Sequence, residues 1–402
     1  MSAPSVSDDP FYGRPFVAAL AVIALLLAAA NLRGGLVVVG PLVEQIREGL
    51  NISASAFSLL TTLPLICFGI ISLCVPALSR RWAPQTLAIG GLLIISLGVL
   101  LRLVNNYPVV LLGTLLLGAA IALLNVLIPG LVKAFFPRKV GLMTGLYSVT
   151  LSAGAGLGVY LAVPLLERFG HWHYPVALWA LLPVLCILFW LPMVKVKGVG
   201  KPANPLKVSL WRSKTAWAIT FYMGLQSFYF YSMATWLPKI LLESGLTAHD
   251  AGTATALINL VSIPFNFLVP IMAARMANQR TLVLGIFLAS FTGIAGLWWQ
   301  PATAPLLWAS LIGIGCGGAL SLALSFFVLR ATNTAQATAL SAMAQSIGYL
   351  LAATGPAALG LMRDWEGGWQ TALVLMMVLQ CVQLVCGLLA SRPVNVVPDQ
   401  DK

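Results

Sequence analysis

Arg33 is a permanent cation set in oil. It follows the apolar run 16–32 and precedes the run 34–43, and the first acid beyond it, Glu44, comes after ten intervening residues, roughly 15 Å along a helix. A guanidinium at the centre of a hydrocarbon span costs about 2.5–3.5 kcal/mol on insertion scales, so such a residue normally faces a water-filled cavity or a partner. The plainer alternative is that it snorkels to the interface or ties down the carbonyls of a neighbouring helix. The acids (Asp8, Asp9, Glu44, Glu48, Glu167, Glu243, Asp250, Asp364, Glu366, Asp399 and Asp401) all fall in tails, outer loops or span ends, and His171, His173 and His249 fall in predicted outer loops. No group inside the predicted spans therefore titrates near neutral pH. Surrounded by neutral polar groups, Arg33 should prefer a small anion or an electron-rich acceptor held by paired hydrogen bonds. A proton relay through an intramembrane carboxylate is not expected. That leaves uniport, exchange, coupling at a rim residue such as Glu44, or a substrate that carries its own proton.

The other candidates are neutral. Asn125, Tyr147, Ser148, Gln226, Ser227, Tyr229, Tyr231, Asn259, Gln345, Ser346 and Tyr349 stand inside apolar runs. An interhelical hydrogen bond worth about 0.6–2 kcal/mol accounts for any single Asn or Gln as well as substrate contact does, and the serines read more simply as packing. Neighbouring residues on a helix point about 100° apart, so the run 228–231 cannot face one side, and Tyr231 is favoured over Tyr229. The predicted binding set is Arg33, Asn125, Tyr147, Gln226, Tyr231, Asn259, Gln345 and Tyr349. Several motifs are decoys. Gly313, Gly315 and Gly318 spell G-x-G-x-x-G inside an apolar span with no strand before it, so close helix packing is the expectation there, as for Gly154, Gly156 and Gly158. The fragment 198–202 lacks the first glycine and the Ser/Thr of a phosphate loop. His171 and His173 give two ligands and no third. No cofactor, metal or catalytic residue is expected.

The elements that must position these residues follow from composition. In 402 residues, hydrophobic side chains make up 59% and charged ones 8%, against about 25% charged in a soluble domain. This chain requires a bilayer, and a span requires roughly 20 apolar residues. Runs of that length predict twelve transmembrane helices near 16–43, 55–77, 85–104, 108–132, 140–165, 174–193, 216–238, 250–273, 281–299, 305–329, 338–361 and 370–390. With both termini cytoplasmic, seventeen of the 23 Lys and Arg fall on the inner side and five on the outer, with Arg33 inside a span. The positive-inside rule then fixes the orientation, and the net charge of +12 is a topology signal that calls for no nucleic acid. The six cysteines lie within apolar runs and read as free thiols. Features recur at an offset of about 197 residues (Pro41 and Pro238, Gly118 and Gly315, Lys133 and Arg330, Tyr147-Ser148 and Gln345-Ser346), the mark of tandem halves. The predicted organisation is an all-α membrane protein with an N-terminal six-helix half (1–193), a cytoplasmic linker (194–215) and a C-terminal six-helix half ending in a short cytoplasmic tail (216–402).

Asn31-Leu32-Arg33, the stretch 125–133 (NVLIPGLVK), Trp236-Leu237-Pro238 and the stretch 342–349 (AMAQSIGY) resemble the cyanate and nitroimidazole transporter branch of the major facilitator superfamily, over nearly all twelve spans. The resemblance implies a central cavity between two halves, Arg33 and Gln345 among its polar residues, and alternating access by rocking. The stretch 78–84 (LSRRWAP) departs from the superfamily's G-x-x-x-D-R-x-G-R-R loop in lacking its Asp, which puts the usual inner-gate charge network in doubt. The expected function is transport of a small anionic or polar, cyanate-like solute across a bacterial inner membrane by a monomer. The alternatives are an exporter of nitroimidazole-like or other small drug-like compounds and, from another class, a membrane-embedded enzyme or non-transporting sensor.

Overall fold

Apolar runs too long for any soluble core emerge as helices throughout. The structure is a computed structural model that describes residues 14–195 and 210–396, and no strand occurs among the described residues. The predicted linker thus lies mostly outside the described residues, with short 3-10 turns at Leu191–Lys195 and Leu210–Arg212 at its flanks. The helices are α1 (Pro15–Asn31), α2 (Gly34–Val37), α3 (Val43–Leu50), α4 (Ala54–Arg81), α5 (Pro84–Leu101), α6 (Tyr107–Phe135), α7 (Val140–Phe169), α8 (His173–Trp190), α9 (Lys214–Glu243), α10 (Ala248–Arg275), α11 (Arg280–Trp299), α12 (Pro305–Leu329), α13 (Thr334–Glu366) and α14 (Gln370–Ala390). Twelve are of span length. Ten of these are apolar enough to be recognised as spans by length and hydropathy; α9 and α13 are the two that are not. Those two carry Gln226, Tyr231, Gln345 and Tyr349, half of the predicted binding set.

The first span is not the continuous helix predicted over 16–43. It breaks after Asn31 and again before Val43, where a 3-10 turn at Gly40–Leu42 intervenes. The local sequence permits both breaks without dictating them. Gly34 and Gly35 are weak helix formers, and Pro41 has no N–H to donate. Four other N-termini carry ordinary signals: Ser53, Asn106, Ser213 and Thr247 each accept from a backbone N–H three residues on, satisfying a donor the helix cannot.

The chain divides into two compact units, one formed by 1–207 with Asn333–Ala342, the other by Val208–Thr332 with Met343–Lys402. Within the first, α6 packs on α4 and α5; within the second, α12 packs on α10 and α11, the same pairs of spans in each case. Both seams are drawn tight by glycine. A Cβ at Gly98 of α5 would lie 2.7 Å from the Gly113 carbonyl of α6, and one at Gly317 of α12 would lie 2.4 Å from the Ser262 carbonyl of α10. The apparent dinucleotide fingerprint is thus helix packing, Gly313 and Gly317 facing α10 while Gly315 and Gly318 face α11. Gly154 and Gly158 likewise approach Ala30 and Gly34, whereas Gly156 has nothing within 4 Å.

Two ties in the second unit carry predictions. At one end, Arg330 (5% exposed) donates from Nε to the Ala390 carbonyl at 2.9 Å and from Nη2 to the Ser391 carbonyl at 2.8 Å and to Gln279 Oε1. Gln279 in turn donates to the carbonyls of Ala273 and Met276. One planar fork joins the ends of α12 and α14 to the α10–α11 loop. By contrast, the corresponding loop of the first unit leaves Arg80 and Arg81 exposed, with no ion pair among the described residues. Arg330→Met is expected to destabilise the protein by about 1–3 kcal/mol through stranded acceptors. Lys should restore only part of this, since it lacks the fork. An unchanged melting point for Arg330→Met in detergent would refute the tie.

At the other end, Glu243 accepts from Arg363 Nη2 at 2.7 Å and from Trp369 Nε1 at 2.8 Å. Partial burial pushes its pKa up, but those two donors and the charges of Arg363 and Lys239 outweigh it and hold the carboxyl below its ordinary value. Its unfolded pKa therefore exceeds its folded one. Its contribution is fully present above the unfolded value and lost as pH falls through the folded value. The melting point should drop as pH falls below about 4.3, and Glu243→Gln should flatten that part of the profile; an identical slope in the variant would rule the group out.

Candidate functional site

Arg33 stands between α1 and α2 as the residue that caps the short second segment, with φ −129° and ψ −35°. Its carbonyl accepts from the N–H groups of Leu36 and Val37 at 3.0 Å each, and the residue is half-buried. The first acid after it, Glu44, is engaged by Arg47 at 3.2 Å. The cation predicted to lie mid-helix therefore sits at a helix break, where backbone departs from the regular ladder.

In the same unit, Asn125 (7% exposed) on α6 and Tyr147 (3%) on α7 come together, the tyrosine hydroxyl donating to Asn125 Oδ1 at 3.4 Å. In the second unit, Gln226 on α9 and Gln345 and Tyr349 on α13 are buried. Gln226 Nε2 donates to Ser227 Oγ at 2.6 Å. The two helices run side by side with glycine spacers. A Cβ at Gly224 would lie 3.1 Å from the Gly348 Cα, one at Gly355 2.5 Å from Ser232 Oγ, and one at Gly360 2.8 Å from the Trp236 ring. Tyr231 is half-buried, while Tyr229 is buried in the core of the unit with its hydroxyl near the Ser290 carbonyl. Asn259 departs from the rest: it lies on an exposed face of α10 with Gly252 and Ala256.

Two groups of buried polar residues escaped the sequence reading. Arg102, counted there among the five outer-side cations at the end of the predicted span 85–104, is 2% exposed and donates from Nη1 to the Gly35 carbonyl at 2.7 Å. A weaker form of the signal that marked Arg33 was present, since Leu100-Leu101 precede it and Leu103-Val104 follow it before Asn105 and Asn106. Gln380 and Gln383 of α14 line a small recess with Tyr222 and Phe287, Gln380 accepting from Ser290 Oγ at 2.9 Å; they too are mid-span amides. His173 meets Asn105 Oδ1 at 2.8 Å through Nε2.

Twelve long helices in two similarly packed units, with buried amides and a cation at a helix break, define a polytopic membrane protein with a polar interior. A family model described as the Major Facilitator Superfamily matches residues 19–356, and the chain belongs to that superfamily. A Bacillus subtilis (strain 168) protein named uncharacterized transporter YycB is 37% identical over 374 residues, covering 92% of this chain and 93% of its own length. The Escherichia coli (strain K12) 2-nitroimidazole transporter is 35% identical over 375 residues, covering 92% and 95%. The cyanate transport protein CynX of the same organism is 30% identical over 352 residues, covering 87% and 91%. Among solved structures, FucP, a transporter of this superfamily in the outward conformation, aligns with a TM-score of 0.72 at 15% identity over 93% of this chain and 98% of that one, a likeness of fold. The protein is a multi-pass membrane transporter of a small solute, and it resembles the branch that holds the nitroimidazole and cyanate transporters.

Proposed function

We propose that this chain carries a small anionic or strongly polar solute across a bacterial inner membrane by alternating access, with both termini cytoplasmic and Arg33 as the electrostatic anchor. Asn125, Tyr147, Gln226, Tyr231, Gln345 and Tyr349 supply hydrogen bonds along the path, with Asn259 the outlier of the set. The observation that carries this reading is the half-buried guanidinium at the break in the first span. A planar fork of donors matches the paired oxygens of a carboxylate or a nitro group, and its charge suits a small linear anion such as cyanate. Relatives named for cyanate and for 2-nitroimidazole present two acceptors of that kind. Every acid of the sequence lies in a tail, a loop or near a helix end, which supports uniport, exchange or coupling outside the bilayer core over a carboxylate relay within it.

The test is uptake of labelled cyanate by proteoliposomes, together with the melting point of purified protein against cyanate and 2-nitroimidazole. A ligand that binds only the folded state raises that temperature. Uptake of cyanate supports import. Protection of cells from 2-nitroimidazole by expression, without cyanate uptake, supports the exporter reading. Neither uptake, protection nor a melting shift from either compound overturns both.

A further inference from the structure

Arg102 closes α5 as the residue at its C-terminal cap, where its own N–H reaches the carbonyls of Gly98 and Val99. A cation suits that end of a helix dipole. A surface lysine would satisfy that requirement, yet Arg102 is 2% exposed, among the largest fully buried side chains in the chain. Burying a guanidinium is expensive unless it returns something specific. It makes one bond to another segment, from Nη1 to the Gly35 carbonyl at 2.7 Å, while Nη2 has no partner among the described residues. Gly35 lies two residues beyond Arg33, inside the short segment α2 that follows the break.

The same turn is clasped from other sides. The ring of Trp179 on α8 lies flush on Gly34, leaving no room for a Cβ, and Gly158 of α7 comes so close that a Cβ there would lie 2.7 Å from the Gly34 carbonyl. Those two contacts are shape, and they limit where the turn can go. The Arg102 bond is the directional one, because it fixes which way the Gly35 peptide faces. Through the preceding peptides it also fixes the frame from which Arg33 projects. A guanidinium that served only to seal a helix end would have no reason to reach the carbonyl two residues from the one cation of the first span.

We propose that Arg102 is a positioning residue for solute recognition: it pins the short segment α2, just after the break in the first span, through the Gly35 carbonyl and so sets the orientation of the Arg33 side chain. The proposal rests on the reading of Arg33 as the solute's anchor, and adds that the anchor's geometry is set by a second guanidinium from another helix. Arg102 itself touches no solute. Its loss acts on recognition by loosening the backbone under Arg33, and that loosening is measurable without any ligand.

The experiment uses the full chain in detergent and four variants, Arg102→Gln, Arg102→Lys, Arg33→Ala and Arg33→Ala with Arg102→Gln. Hydrogen exchange over residues 32–39 reads the turn directly, since Leu36 and Val37 donate to the Arg33 carbonyl. Titration with cyanate and with 2-nitroimidazole reads recognition. Arg102→Gln should speed exchange in that segment and weaken binding at least tenfold, and Arg102→Lys, which keeps a cationic donor, should recover part of both. In the Arg33→Ala background, Arg102→Gln should weaken binding no further. Should Arg102→Gln fail to fold, Arg102→Lys carries the same comparison with a smaller expected effect. If Arg33→Ala abolishes binding while the Arg102 variant leaves exchange and affinity unchanged, or if the two losses multiply, the positioning role is overturned and the anchor reading stands. If Arg33→Ala binds normally, the anchor reading falls and takes this proposal with it, whatever the exchange shows.

Discussion

Arg33→Ala is expected to weaken solute binding by roughly 10- to 150-fold, the equivalent of the 1.5–3 kcal/mol assigned to a hydrogen bond with a charged partner. Uptake by proteoliposomes at solute concentrations below the dissociation constant should fall in proportion. Arg33→Lys keeps the charge but replaces a planar fork by a point donor, so it should sit between the wild type and alanine. The order matters as much as the size. If recognition were a matter of net charge alone, lysine would equal arginine; if it were a matter of shape alone, lysine would equal alanine. Residue 33 stands half-buried at the break between α1 and α2, so removing its charge also relieves the insertion cost of a buried cation. Melting curves that show Arg33→Ala strongly destabilised, with affinity intact in the surviving protein, would recast the residue as structural.

Gly34→Ala is expected to be far more damaging than its single methyl group suggests. A Cβ at this position would fall 1.9 Å from Cζ3 and 2.0 Å from Cη2 of Trp179, so the indole has to leave its place. Trp179 is 6% exposed, and the ring has no nearby solvent to swing into. Forcing extra volume into a filled core costs about 1–3 kcal/mol, and here the displaced group is a large rigid ring beside the Arg33 turn. Gly34→Ala should lower the melting point and weaken solute binding with Arg33 still present. Trp179→Leu, which shortens the obstructing side chain, should be destabilising alone and partly corrective when combined with Gly34→Ala. A double-mutant cycle measures that coupling directly. Additive losses, or a Gly34→Ala protein indistinguishable from wild type, would show that Gly34 and Trp179 are not coupled.

The helical architecture could be read in the sequence because it depends on quantities a sequence displays: run length, charge content and the spacing of basic gaps. The break in the first span could not, because its Gly34-Gly35 pair also occurs in unbroken helices here, as Gly317-Gly318 does within α12. What distinguishes the two places is tertiary. Gly317 and Gly318 sit between α10 and α11, whereas Gly35 has its carbonyl taken by Arg102 from α5. Arg102 itself was legible in principle, since apolar residues flank it on both sides; counting it with the outer-side cations for the charge bias hid what its neighbours said. Tyr229 and Tyr231 could not be separated by sequence beyond noting that they point apart. Packing separates them, drawing Tyr229 into the core of its unit and leaving Tyr231 half-buried. Asn125 and Tyr147 were each marked as mid-span polar residues, but their hydrogen bond belongs to a pair of helices and had no sequence signal.

The glycine-spaced seam between α9 and α13 has a consequence for how the chain is made. These are the two long helices whose hydropathy is too low to mark them as spans, and the machinery that admits helices to a bilayer during synthesis responds to that same property. The ribosome finishes α9 some ninety residues before it begins α13. Through that interval Gly224, Ser232 and Trp236 of α9 lack the neighbour whose Gly348, Gly355 and Gly360 will lie against them. A nascent chain stopped just short of residue 334 is therefore expected to hold α9 loosely, accessible to water-soluble thiol reagents at an introduced cysteine. Release of the rest of the polypeptide should close off that access.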